Sequence, residues 1–207
     1  DDVAGHDGVN VQQPHRHVLS WVLGTAVNQD GKSASFTAPN GPSQELLLRL
    51  ALAESETGVG PGLPGHVETH GTGTALGDPM EVGALQRAMS GISDPANGKK
   101  DSSALVLGAL KSSIGHTEGS AGVMGLIKSV MVLQDGVSPP NLHLRTLNDK
   151  LHLNGLGVVM PGLTGMNFPL GQRSRSGGIS SFGATGTNSH IVLHGPIFGY
   201  EDSSRNL

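Results

Sequence analysis

Cysteine is absent from all 207 residues, which excludes disulfides, thiolate metal sites and any cysteine-based covalent step carried by this chain on its own. No apolar run approaches the roughly 18 residues that would span a bilayer. The sequence opens on Asp1 and Asp2 with no basic segment, so no secretory signal is expected and the setting is predicted to be cytoplasmic. An excess of positive charge is also lacking. Thirteen Lys and Arg against 17 Asp and Glu give a formal net charge of −4, and the few bases are scattered, which argues against a nucleic-acid partner. What is present is a globular balance, 36% hydrophobic and 14% charged, in a chain long enough for one sizeable domain. Glycine is abundant at 32 residues, about twice the usual share of roughly 7%, without a G-x-y period, so tight turns and close backbone approaches are expected.

Residues 1–17 show no periodicity and are expected to be an irregular start. The run His17 to Val27 suits a buried strand, and Asn28-Gln29-Asp30-Gly31 is dense in turn formers. Pro42 and Ser43 introduce the helix formers Gln44 to Ala53, ended by Gly58 and Gly60. His66 to Thr69 predicts a short strand that leads into His70-Gly71-Thr72-Gly73-Thr74. Asp78 is the expected N-cap of the next helix, with Pro79 at its first position. A strand over 104–109, a loop over 111–116 and a helix over 119–134 follow, then short extended pieces over 141–160. Gly177 to Phe182 and Ser189 to Leu193 predict two strands around a glycine-rich turn. Alternating strands and helices argue for an α/β fold, a mixed sheet layered with helices. The expected domain is 18–195, with 196–207 a tail or linker.

Three segments carry the residues suited to chemistry. The first places His70 at a strand end before a loop with two hydroxyls, Thr72 and Thr74, and ligands in α/β folds sit at strand ends. Gly71, Gly73 and Gly77 miss the G-x-G-x-x-G spacing of a dinucleotide site, and His66, Glu68 and His70 form H-x-E-x-H rather than a zinc H-E-x-x-H. The second segment, Lys111 to Gly119, places His116 just before a helix, whose dipole disfavours an imidazolium and leaves a neutral ring able to donate a hydrogen bond. The third, Gly178 to His190, has glycines at 183 and 186 that free backbone N–H groups to face a developing oxyanion. One such histidine alone reads as structural, and the third segment alone as a glycine-rich hairpin. Two histidines on successive strand-to-helix loops point to a site.

Taken together, Asn28 to Gly31, Thr37 to Gln44, His70 to Thr74, Lys111 to His116 and Phe182 to His190 resemble, in order, the C-terminal half of a β-ketoacyl synthase, the ketosynthase of fatty-acid and polyketide synthases. The N-Q-D-G, T-A-P-N-G-P-S-Q and I-G-H-T-E runs are similar to the type I polyketide branch. The resemblance implies a thiolase-like fold of which this chain supplies the second half. It also implies an acyltransferase that loads an acyl chain on a cysteine and condenses it with a malonyl-type extender by decarboxylation. His70 and His116 match the two catalytic histidines, with Lys111 ordering the site through an ion pair, for which Glu118 is the nearest candidate. Thr72 and Thr74 match hydroxyls that contact the pantetheine arm. Phe182, Gly183, Ala184 and Asn188 fall in the substrate-binding segment, with Ala184 at the oxyanion-hole N–H, and Asp78 near the site in a structural role. Ala184 stands where free-standing bacterial members carry Phe, which implies a roomier passage.

The family's nucleophilic cysteine has no counterpart among these residues, and Ser112, Ser113 and Ser181 show no G-x-S-x-G elbow. The implied partners are an N-terminal ketosynthase half with that cysteine, an acyl carrier protein bearing substrates on phosphopantetheine, and a second copy in the full enzyme. No tightly bound cofactor or metal is expected. The other readings are a non-catalytic, chain-length-factor-type interaction subunit and a plain α/β domain with structural histidines. Half of a layered fold is also expected to leave apolar faces uncovered.

Overall fold

A computed structural model of the chain describes residues 18–32, 38–56, 64–90, 105–153, 157–162, 166–167 and 176–195. The expected irregular start at 1–17, the tail at 196–207 and part of the Thr37 to Gln44 run lie outside the described residues. The elements are β1 (Trp21–Gln29), α1 (Gly41–Glu56), β2 (His66–Glu68), α2 (Gly77–Met89), β3 (Leu105–Gly108), α3 (Lys111–Ile114), a 3-10 turn (Glu118–Ser120), α4 (Ala121–Asp135), β4 (Val137–Ser138), β5 (Val158–Val159), β6 (Met166–Asn167), β7 (Ser176–Phe182) and β8 (Thr187–His194).

Six strands form one mixed sheet in the order β1-β8-β7-β2-β3-β5, as the alternating pattern predicted. β7, β2, β3 and β5 run parallel, and β8 is antiparallel to both of its neighbours. Parallel strands covered on both faces need apolar residues on both, and Leu105, Val106 and Leu107 of β3 are all buried. Leu48, Ala51 and Leu52 of α1 and Val82, Leu85 and Met89 of α2 pack on one face with Val67, Leu105 and Leu107. Leu133 of α4 packs on the other with Ile179 and Leu193. Asn40 caps α1 by accepting the Ser43 N–H at 3.2 Å, and Gly136, at φ 68, closes α4 through its N–H to the Val132 carbonyl.

Four local expectations change. β1 begins later and runs farther than the 17–27 run, because Asn28 and Gln29 pair with Asn188 and Thr187 of β8 instead of turning. Asp78 is not the N-cap of α2. The helix starts at Gly77, and the Asp78 carboxylate reaches back to the Gly73 N–H at 3.1 Å. The 111–116 loop contains the one-turn helix α3, and a 3-10 turn precedes α4. Within the described part of 141–160 only Val158–Val159 is a strand, because Asn141 ties the segment to β3 by its side chain rather than by a ladder.

From β2 the chain turns to α2 on one face of the sheet; from the adjacent β3 it reaches α4 on the other. Such divergence at neighbouring parallel strand ends opens a crevice at their C-terminal edge. His70 and the 111–116 segment follow strands that end on that edge, and Phe182 is the last residue of β7, which ends there too. Val123, Ile127 and Met131 form one stripe along α4 and are 58%, 49% and 55% exposed, while Trp21, Val22 and Val27 stand out from edge strand β1. The 207-residue chain alone is therefore expected to bind a hydrophobic dye, less so as the Ile127→Lys/Met131→Lys variant. A chain that stays dark with the dye and unfolds as a cooperative monomer would contradict this.

Candidate active site

The loop that follows β2 is held by side chains more than by its own backbone. Thr69 donates both its N–H (2.8 Å) and its hydroxyl (2.9 Å) to the Gly108 carbonyl of β3. The His70 and Gly71 N–H groups then donate to the two carboxylate oxygens of Glu81 at 2.7 and 3.0 Å. Gly71 takes φ 49, and a Cβ there would come within 2.6 Å of the Thr69 hydroxyl, so this turn needs glycine. Thr74 accepts the Gly77 N–H at 3.0 Å, which leads the loop into α2.

His70 leaves this turn with its Nδ1 accepting the Phe182 N–H at 3.3 Å, from the end of β7. His116 is fixed in the same manner: its Nδ1 accepts the Glu118 N–H at 2.9 Å. Glu118 adopts φ 50, a left-handed backbone that non-glycine residues seldom take. The amide that holds His116 thus comes from the turn before α4 rather than from α4 itself. A ring that accepts at Nδ1 carries its proton on Nε2. The rings meet edge to face, with centroids 5.5 Å apart at 81°, and Phe182 packs against His70 at 5.6 Å.

Both rings line a cavity of about 420 Å³. Of the residues singled out by sequence, Thr72, Thr74, Phe182, Gly183, Ala184 and Asn188 line it too. Lys111 and Asp78 do not; they line a neighbouring cavity of about 490 Å³ behind the 71–73 loop. Burial, with the positive charge of Lys111 and the neighbouring His116, lowers the His70 pKa to about 4, so the ring is neutral at physiological pH. Burial also lowers Lys111, against the pull of Glu81 and Glu68. The expected Lys111–Glu118 ion pair is not formed. Glu118 serves through its amide, and the acids that face Lys111 are Glu81 and Glu68.

The glycine-rich turn after β7 is also more restricted than expected. Gly183 N–H donates to the Thr187 carbonyl at 2.7 Å and Gly186 N–H to the Gly183 carbonyl at 2.9 Å, so neither is available to an oxyanion. Ala184 is exposed on the cavity, and its N–H has no partner among the described residues. Asn188 donates to Asp30 at 2.7 Å and to Asn28 at 3.2 Å, joining the N-Q-D-G segment to the site.

Sequence reasoning missed Glu81, whose place near the start of a helix reads as ordinary dipole matching, and Glu68, dismissed with a metal decoy. It also missed Asn141, which accepts the Ala109 N–H at 2.7 Å and donates to the Leu107 carbonyl at 3.0 Å, and so holds the end of β3. Asp30 and Gln44, which line the cavity, carried no signal beyond their motifs.

Residues 19–145 match the family model of the β-ketoacyl synthase C-terminal domain. The chain is 42% identical over 180 residues to a chalcone synthase of Aspergillus candidus, covering 86% of this chain and 6% of that protein. It is 42% identical over 178 residues to an erythronolide synthase of Saccharopolyspora erythraea, covering 86% and 5%. Among solved structures, a ketosynthase domain from oxazolomycin biosynthesis of Streptomyces albus aligns with a TM-score of 0.75 at 34% identity, over 86% of this chain and 30% of that one. The module 6 ketosynthase of the Bacillus subtilis bacillaene synthase aligns with the same TM-score at 31% identity, over 87% and 31%. The chain belongs to the β-ketoacyl synthase family, as a thiolase-like C-terminal ketosynthase domain of the type I polyketide synthase kind. It spans only a small part of the relatives it matches.

Neutral buried histidines give the domain a defined response to acid. Burial lowers His66, which also faces Lys128, to about 3 and His190 to about 4, like His70. The unfolded rings take up protons near 6.5, so stability falls as pH drops from 6.5 towards 4. Glu81, raised by burial to about 7, acts in the opposite sense, contributing stability below 4.5 that is lost as pH rises through 7. Three histidines outweigh one glutamate, and roughly two protons are taken up on unfolding near pH 5.5 from these groups. Thermal unfolding between pH 4 and 7 is expected to show the midpoint falling on acidification. His190→Gln should reduce the slope by about one proton, and an unchanged slope would refute its neutral burial.

Proposed function

We propose that this domain supplies the decarboxylating side of a ketosynthase site, acting on a malonyl-type thioester carried on the phosphopantetheine of an acyl carrier protein. The acyl group to be extended sits on a cysteine thioester contributed from outside these 207 residues. When the bond between C2 and the carboxylate breaks, CO₂ leaves and its electron pair passes into the thioester, placing negative charge on the carbonyl oxygen. The enolate carbon then attacks the acyl thioester, forming the new carbon–carbon bond and releasing the cysteine thiolate.

The observation that carries this reading is the pairing of the two imidazoles. Both accept a backbone N–H at Nδ1, which leaves Nε2–H on each ring as the donor toward the cavity they line. Two donors preset around one oxygen stabilise charge where it develops, without reorganisation at the moment of reaction. Low His70 basicity favours donation over protonation, and Lys111 behind the loop adds a positive field that strengthens it. Thr72 and Thr74 present hydroxyls at the same cavity for the polar groups of the pantetheine arm. The unpartnered Ala184 N–H suits the oxyanion of the acyl thioester, a role independent of its side chain.

Retention of both donors speaks against the interaction-subunit alternative. A complete ketosynthase containing this domain is expected to release CO₂ from malonyl carrier protein. His116→Ala should lower that rate by about 10²- to 10³-fold, as loss of a preorganised oxyanion donor does elsewhere. Undiminished CO₂ release from the variant would sink the assignment.

A further inference from the structure

Beneath the two histidine loops lies a buried charge pair that the chemistry above does not touch. Lys128 Nζ stands 2.6 Å from Glu68 Oε2, with side-chain exposures of 9% and 3%. Glu68 ends β2 two residues before His70. Its second oxygen accepts the Leu110 N–H at 2.5 Å, immediately before Lys111 and the turn of α3 that leads to His116. Lys128 belongs to α4, the helix that continues the chain from His116. One carboxylate is therefore bonded to the elements on both sides of the histidine pair.

The backbone is shaped around this pair. A Cβ on Gly108 would come within 2.7 Å of Glu68 Oε2 and 2.8 Å of Lys128 Nζ. A Cβ on Gly125 would come within 3.3 Å of Glu68 Cγ. Glycine is unfavourable inside a strand and inside a helix, so both positions give up local preference to leave the pair its space. His66 lies 3.8 Å from the same oxygen and is kept neutral by burial, leaving Lys128 as the countercharge. Buried ion pairs seldom stabilise more than well-packed apolar residues of similar volume; fixing one arrangement is their better-attested use.

We propose that Glu68 and Lys128 are positioning residues, whose ion pair sets the placement of His70 relative to His116 by tying β2, the start of α3 and α4 to one point. This rests on reading the two histidines as enolate donors.

The test uses the complete ketosynthase and malonyl carrier protein, with kcat and KM for CO₂ release measured separately. The neutral double variant Glu68→Gln/Lys128→Met leaves no buried charge unpaired. It is expected to unfold as cooperatively as the parent, with kcat reduced at least tenfold and KM within twofold. Added to His116→Ala, it should produce no more than a twofold further loss, because it acts through the geometry that variant has already removed. If His116→Ala lowers CO₂ release but the double variant keeps kcat within twofold, the positioning role is overturned and the histidine reading stands. Fully additive losses, or a double variant that no longer folds, would assign the pair to folding and overturn the inference as well. If His116→Ala leaves the rate intact, the histidine reading itself has failed.

Discussion

The carboxylate of Glu81 receives the amide hydrogens of His70 and Gly71, and the site is built outward from that contact. A chain leaving the end of a buried parallel strand loses its ladder partners at the point where it must turn, and buried amides left unpaired there would each cost about 1–3 kcal/mol. Glu81 is 3% exposed and reaches back from the second turn of α2 to satisfy both. The turn it stabilises demands φ 49 at Gly71 and delivers the His70 ring to the edge of the sheet. Glu68 meets the same need at the next strand, pairing the Leu110 N–H where β3 gives way to α3. Two acids on different elements thus terminate two adjacent strands.

That arrangement has an electrostatic consequence. Burial lowers His70 and raises Glu81, each resisting its charged form, while Lys111 between two acids remains a positive neighbour of the ring. A histidine in this setting is a poor base and a good donor. Its tautomer follows from the Phe182 N–H on Nδ1, and His116 obtains the same tautomer from Glu118. The strained φ of Glu118 is the conformational cost of aiming that amide at the His116 ring.

The histidines were legible in the sequence because their surroundings are local. A strand, a glycine turn and a helix start within about ten residues announce a strand-end site, and both instances carry that signature. The α/β class was legible for the same reason, since strand and helix periods alternate along the chain. The supporting acids were not legible. Glu81 acts 11 and 10 residues from its partners, Glu68 meets Lys128 from a strand 60 residues away, and the Asn188 to Asp30 bond joins positions 158 apart. Nothing in an acid near a helix start or an inward-facing strand acid says which backbone amide it will meet; that depends on the order of strands in the sheet. The failed Lys111–Glu118 pairing has this cause, because nearness in sequence suggested a partner that the turn at Glu118 directs elsewhere.

A division of labour among the supporting residues follows. Phe182 and Glu118 contribute main-chain N–H groups to the two imidazoles, so the Phe182 side chain is free to shape the cavity without moving a donor. Phe182 uses that freedom by packing its ring on His70. Glu68, Glu81 and Asn141 act through side-chain oxygens that must each meet a backbone donor at a strand end, and no change of length preserves that reach. Variation in what the cavity admits is therefore compatible with the first group and not with the second.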